Sequence, residues 1–61
     1  MVNKVSVVRV SKGLSQKSLA TKCGVSQQTI SFIENEKKQP SLAIARRIAK
    51  SLNCTIDELF P

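Results

Sequence analysis

The sequence has no histidine, no tryptophan and no tyrosine. Without histidine it lacks the commonest general base near neutral pH. It has two cysteines, Cys23 and Cys54, too far apart for a C-x-x-C pair. A zinc site needs four ligands, and no cluster of ligating residues supplies them, so no metal is expected. With only two glycines there is no phosphate-cradling loop, and no cofactor is expected either. These absences together point away from an enzyme. The longest apolar run is Leu42-Ala43-Ile44-Ala45, far short of a bilayer span. Lys4 and Arg9 interrupt the N-terminal valines, so no signal-peptide core forms. A cytoplasmic protein with reduced, buried thiols is the expectation, a single disulfide being the alternative for a secreted chain. The last absence is of negative charge. All four acids, Glu34, Glu36, Asp57 and Glu58, lie after residue 33.

What is present fits one small domain spanning 1–61, with 41% of its residues apolar. A chain of this size buries only about 60% of the surface it exposes when unfolded, so a large buried substrate cavity is not expected. The formal charge is +6, and Lys4, Arg9, Lys12, Lys17 and Lys22 have no acid among them. Such an excess points to an anionic partner, nucleic acid before a membrane surface, with plain solubility as the bland alternative.

Punctuation at Gly13, Gly24, Pro40 and Asn53 divides the chain into helix-length pieces. Residues 3–12 are mixed: Val5, Val7 and Val10 hint at a strand, whereas Val5, Val8 and Lys12 have helical spacing. No later segment offers a partner strand, so a helix is predicted, stopped by Gly13. Ser15 caps a second helix over 16–23, with Leu19, Ala20 and Cys23 inward. Ser26 caps a third, running to Glu34 or Asn35, with Ile30 and Ile33 inward and Gln27, Gln28, Ser31 and Phe32 outward. Ser41 caps a fourth with an inner face of Leu42, Ala45, Ile48, Ala49 and Leu52. Thr55-Ile-Asp-Glu58 forms a capping box opening a short fifth helix through Leu59 and Phe60. The fold class is all-α, a compact bundle of five short helices.

The informative unit is Gln16-x3-Ala20-x3-Gly24-x5-Ile30. Two short helices cross closely only over a small side chain, which Ala20 provides. The turn needs positive φ, which glycine adopts freely. Val25 and Ile30 fasten the second helix onto the first. This is the spacing of a helix-turn-helix.

Here the sequence resembles the helix-turn-helix domains of the lambdoid phage repressors and Cro proteins, also found in many small bacterial regulators. The likeness runs from Arg9 to Phe60 through Gly13-Leu14-Ser15-Gln16, Leu19-Ala20, Gly24-Val25-Ser26, Ile30, Ile33-Glu34-Asn35, Pro40-Ser41-Leu42, Ile48-Ala49-Lys50, Leu52 and Asp57-Glu58-Leu59-Phe60. It implies a five-helix fold that binds double-stranded DNA as a homodimer, formed in solution or only on the DNA, and regulates transcription, as a repressor on a pseudo-palindromic operator.

By that likeness Gln16 hydrogen-bonds a phosphate, and Gln27 and Gln28 reach base edges from the start of a recognition helix opened by Ser26. A glutamine amide matches adenine N7 and N6 as a bidentate pair. Thr29 and Ser31 are contacts to a thymine methyl or phosphate, or else simple filler. Phe32 either touches thymine methyls or folds back on the core edge. Asn35, Lys37 and Lys38 lie in the loop that follows the phosphate backbone in the family. Arg9 corresponds to an arginine that pairs with Glu34, orients the recognition helix and can also present itself to a phosphate. Ile56 and Phe60 are the candidate dimer contact.

Two positions depart from the family pattern. Glu36 stands where glycine is common, so either it takes a left-handed conformation at a cost or Asn35 takes it instead and reshapes the loop. Arg46 replaces an apolar residue and faces either a partner subunit or solvent. The rival reading is a protein-interaction module, such as an antitoxin-like partner, which exposed Phe32, Ile44, Ile56 or Phe60 would favour. No membrane and no small-molecule ligand are expected among its partners.

Overall fold

A computed structural model describes residues 3–61; residues 1 and 2 of the expected 1–61 span lie outside the described residues. Five helices and no strand are present among them: α1 (Val5–Ser11), α2 (Gln16–Cys23), α3 (Gln27–Glu34), α4 (Leu42–Ser51) and α5 (Ile56–Leu59). Three start in the same way. Ser15, Ser26 and Ser41 have extended backbones, and each Oγ accepts the N–H three residues on, from Ser18, Thr29 and Ile44. Each bond satisfies an amide that the helix itself leaves without a partner. At α5 the box is complete: Thr55 Oγ1 accepts from the Glu58 N–H at 3.2 Å, and Glu58 Oε1 accepts from the Thr55 N–H at 3.3 Å.

The valine-rich opening segment is helical. Val5 is fully buried and Val8 packs on the core edge, while Val7 and Val10 face outward. Strand propensity is overridden because Val5 has a core to enter only at helical spacing.

The core joins Val5, Leu19, Ala20, Cys23, Ile30, Ile33, Ile48, Ala49, Leu52 and Leu59. Leucines and isoleucines buried this fully stabilise by about 1.5–3 kcal/mol each. α2 packs against both α3 and α4, and α4 against α5. Two bonds involving residues 3 and 4 close the assembly. The Lys4 N–H donates to the Leu59 carbonyl at 2.8 Å, and Asn3 Nδ2 donates to the Ile33 carbonyl at 2.8 Å. Leu42 departs from its expected inner position and is 61% exposed. Its helical phase suits the inner face, but burial in α4 begins at Ala45, so the first residue overhangs the core.

α1 to α4 end in one recurring arrangement, the Schellman motif. A residue of positive φ donates its N–H to a carbonyl three residues back, and its successor donates to a carbonyl five residues back. The pairs are Gly13 to Val10 with Leu14 to Arg9, Gly24 to Thr21 with Val25 to Ala20, Glu36 to Ile33 with Lys37 to Phe32, and Asn53 to Lys50 with Cys54 to Ala49. The four φ values are 72°, 71°, 57° and 56°. Glu36 itself is therefore the left-handed residue; Asn35, at φ −88°, is not. The loop keeps a standard exit despite its non-glycine residue.

Both cysteines are free. Cys23 is buried, and burial raises the Cys54 thiol pKa, Glu58 adding to the rise and Lys12 opposing it.

Candidate nucleic-acid interface

α2 packs against α3, with Ala20, Ile30 and Ile33 in the shared core and Gly24 in the left-handed turn between them. That anchoring leaves Gln27 and Gln28 exposed on the first turn of α3. The Ser26 and Thr29 hydroxyls lie 2.9 Å apart, and Ser26 also caps the helix, so both are partly engaged. Ser31 is half-buried and its Oγ accepts from Asn35 Nδ2 at 3.4 Å. Phe32 is 38% exposed, at the rim rather than free in water. Asn35, Lys37 and Lys38 are exposed in the loop that follows.

The end of α3 is tied to α1 and α2 by a polar node. Arg9 Nε donates to Glu34 Oε2 at 2.7 Å, and Nη2 to Oε1 at 3.3 Å. Arg9 Nη1 donates to the Leu14 carbonyl at 2.7 Å. Gln16 Nε2 donates to Glu34 Oε1 at 3.0 Å. The Arg9 and Glu34 side chains are only 12% and 6% exposed. The Arg9–Glu34 pair is thus largely enclosed and joins α1 to the end of α3. A planar guanidinium gripping both carboxylate oxygens fixes direction as well as distance. Gln16 is half-buried, and Glu34 holds one of its two amide hydrogens, leaving the other available.

Helix electrostatics separate two kinds of helix start. The first turns of α2, α3 and α4 contain no acid, whereas α5 has Asp57 and Glu58 there. A helix N-terminus is partly positive and attracts either its own carboxylates or an external anion. α5 carries its own carboxylates there; the serine-capped starts of α2, α3 and α4 carry none. Lys17, one of the unbalanced cations of the first half, is exposed in the first turn of α2, where the helix dipole disfavours a cation.

A Helix-turn-helix family model matches residues 7–59. This chain belongs to the Cro/C1-type helix-turn-helix family. As such it is a DNA-binding regulator of transcription. Family relatives include an uncharacterized HTH-type transcriptional regulator of Methanocaldococcus jannaschii, 45% identical, the match covering 98% of this chain and 91% of the relative. An uncharacterized HTH-type transcriptional regulator of Bacillus subtilis is 37% identical, again over 98% of this chain and 91% of the relative. Among solved structures, the restriction-modification controller protein C.AhdI of Aeromonas hydrophila is 30% identical, with a TM-score of 0.89. That match covers 93% of this chain and 86% of the controller.

The candidate dimer residues Ile56 and Phe60 are half-buried and pack against the core of their own chain. Ile44 does the same, so of the residues whose exposure would favour a protein-docking role, Phe32 alone is exposed. Arg46 is exposed. No described helix is long and apolar enough to cross a membrane.

Proposed function

We propose that this helix-turn-helix regulator is a cytoplasmic repressor that binds a nearly two-fold-symmetric duplex site as a dimer and occludes the promoter. The observation that carries the reading is the exposed Gln27–Gln28 pair on a serine-capped, acid-free helix start, flanked by the exposed Lys37–Lys38 loop. In this reading Gln27 and Gln28 pair with adenine edges in the major groove. Ser26, Thr29, Ser31 and Phe32 line the same groove. Gln16, Lys17, Asn35, Lys37 and Lys38 contact phosphates. Arg9 and Glu34 set the angle at which α3 enters. One recognition helix reads only a few base pairs, so two chains are needed. Their half-sites would lie about 34 Å apart, with Ile56 and Phe60 at the subunit contact.

Two variants test the division of labour. Gln27→Ala should lose about 1–3 kcal/mol on the preferred duplex and little on a scrambled one. Lys37→Ala should weaken both alike and flatten the log K against log salt slope by about 0.9 per lost contact. Counterion release ignores sequence; an amide pair does not. Equal losses on both duplexes for Gln27→Ala would remove its base-reading role. Repression itself is tested with a reporter promoter carrying the preferred site: the parent should silence it and Gln27→Ala should relieve it. A footprint of one half-site per bound chain, without cooperativity, would rule out the dimer.

A further inference from the structure

Four helices in this small protein end in the same hydrogen-bonded motif, which makes their left-handed residues directly comparable. Three of the four suit it. Gly13 and Gly24 have no Cβ to strain, and Asn53 belongs to the type that tolerates this region best after glycine. Glu36 is the exception. The residue following the left-handed position commonly makes an apolar contact with the helix. Leu14, Val25 and Cys54 do so, each packed against the core, whereas Lys37 is exposed. The exit of α3 therefore departs from its three counterparts at two consecutive positions.

Charge sharpens the contrast. Of the four acids, Glu34 is held by Arg9 and Gln16, while Asp57 and Glu58 sit at the start of α5. Among the described residues the Glu36 side chain makes no hydrogen bond or ion pair, and its backbone conformation is unfavourable. It lies on a loop otherwise populated by exposed amide and ammonium groups and lines, with Asn3, Lys38, Gln39, Phe60 and Pro61, a cleft of about 320 Å³ between that loop and the two ends of the chain. Strain kept in place without a packing benefit is found where a residue serves function.

We infer that Glu36 limits DNA affinity: its carboxylate opposes the phosphates that Lys37 and Lys38 attract. The inference rests on the reading of this loop as a phosphate contact. In a chain of charge +6, cations placed at the phosphates attract any duplex through counterion release. One fixed negative charge beside the backbone subtracts from that sequence-independent attraction. A larger share of the binding is then left to the base-reading glutamines, and residence on random DNA shortens. Two unit charges about 7 Å apart in water change an equilibrium constant roughly threefold.

The test compares the parent with Glu36→Gln, Glu36→Asn and Lys38→Ala, each checked for helicity and unfolding midpoint. Binding is titrated against one preferred and one scrambled duplex at several salt concentrations. Glu36→Gln keeps a poor left-handed residue and removes only the charge. It should tighten both duplexes about threefold per bound chain at low salt, about tenfold for a dimer, with the gain shrinking as salt rises. Glu36→Asn, which suits the backbone as well, should show the same gain. Unchanged or weaker binding by Glu36→Gln, with Lys38→Ala weakened, overturns the inference and leaves the phosphate reading of the loop standing. Unchanged binding by both Glu36→Gln and Lys38→Ala overturns the two together. Tighter binding by Glu36→Asn alone would assign the effect to the backbone and also overturn it.

Discussion

The exits of α2 and α3 share one backbone geometry and hold it by different means. At α2 the means are local and apolar: Gly24 takes the left-handed turn without strain, and Val25 drops onto the core. At α3 the left-handed residue is Glu36, its successor Lys37 is exposed, and the helix end is secured from outside by Arg9 and Gln16 on Glu34. An exit that closes on its own core needs nothing else. An exit that must keep charged residues facing outward needs a remote polar anchor to hold the helix in place. At α3 the ion pair of low exposure stands beside an exit that makes no apolar contact of its own.

The largest effect is expected from breaking that anchor. Glu34→Ala leaves the Arg9 guanidinium enclosed without its carboxylate, which should cost about 3 kcal/mol or more, read as a fall in the urea midpoint. Arg9→Met removes the opposite partner and should weaken DNA binding while a helical domain persists in circular dichroism. Binding equal to the parent at matched salt would deny the node its orienting role. The next effect tests the apolar exits. Leu14→Ala removes a half-buried contact after α1 and should cost about 1–2 kcal/mol, below the range for fully buried leucines. Lys37→Ala, the equivalent position after α3, should leave the unfolding midpoint unchanged. A Lys37→Ala cost as large as that of Leu14→Ala would abolish the distinction between the two kinds of exit.

Smaller effects test the left-handed residues. A Cβ built on Gly24 meets nothing within 4 Å. Gly24→Ala should therefore lose only the conformational penalty, about 1 kcal/mol, with no clash added. For a domain of this size that lowers Tm by about 4–8 °C in calorimetry. A small shift, the only one of opposite sign, is expected from Glu36→Gly. Relief of the left-handed penalty is partly offset by the greater freedom of glycine in the unfolded chain, for a net gain of about 0.5 kcal/mol. A loss of stability there would mean that Glu36 makes a favourable contact outweighing its strain.

Much of the fold was legible in the residues because the interactions that bound the helices are short in sequence. A serine or threonine cap reaches three residues on, and a left-handed exit reaches back three and five. The starts of α2 to α5 and the inward stripes of α2 and α3 follow from such patterns. The family likeness added the pairing of Arg9 with Glu34, which no local rule predicts. The competition between Asn35 and Glu36 for the left-handed position was local yet unresolved. Two adjacent residues can each end a helix, and intrinsic preference alone favours Asn35, which did not take the position.

The sequence by itself determined where α2 to α5 begin, which apolar residues of α2 and α3 share a face, and that the first half of the chain carries unbalanced positive charge. These depend on covalent neighbours, on helical period and on counting, and need no knowledge of the assembled fold. The tertiary structure alone decided that Leu42 overhangs the core, that Gln16 is held by Glu34, that Asn3 fastens to Ile33 and that Ile56 and Phe60 pack on their own chain. Each of those outcomes turns on where helix axes cross. A shift of one turn along an axis moves a side chain by about 5.4 Å, enough to exchange a buried contact for water while leaving every sequence pattern unchanged.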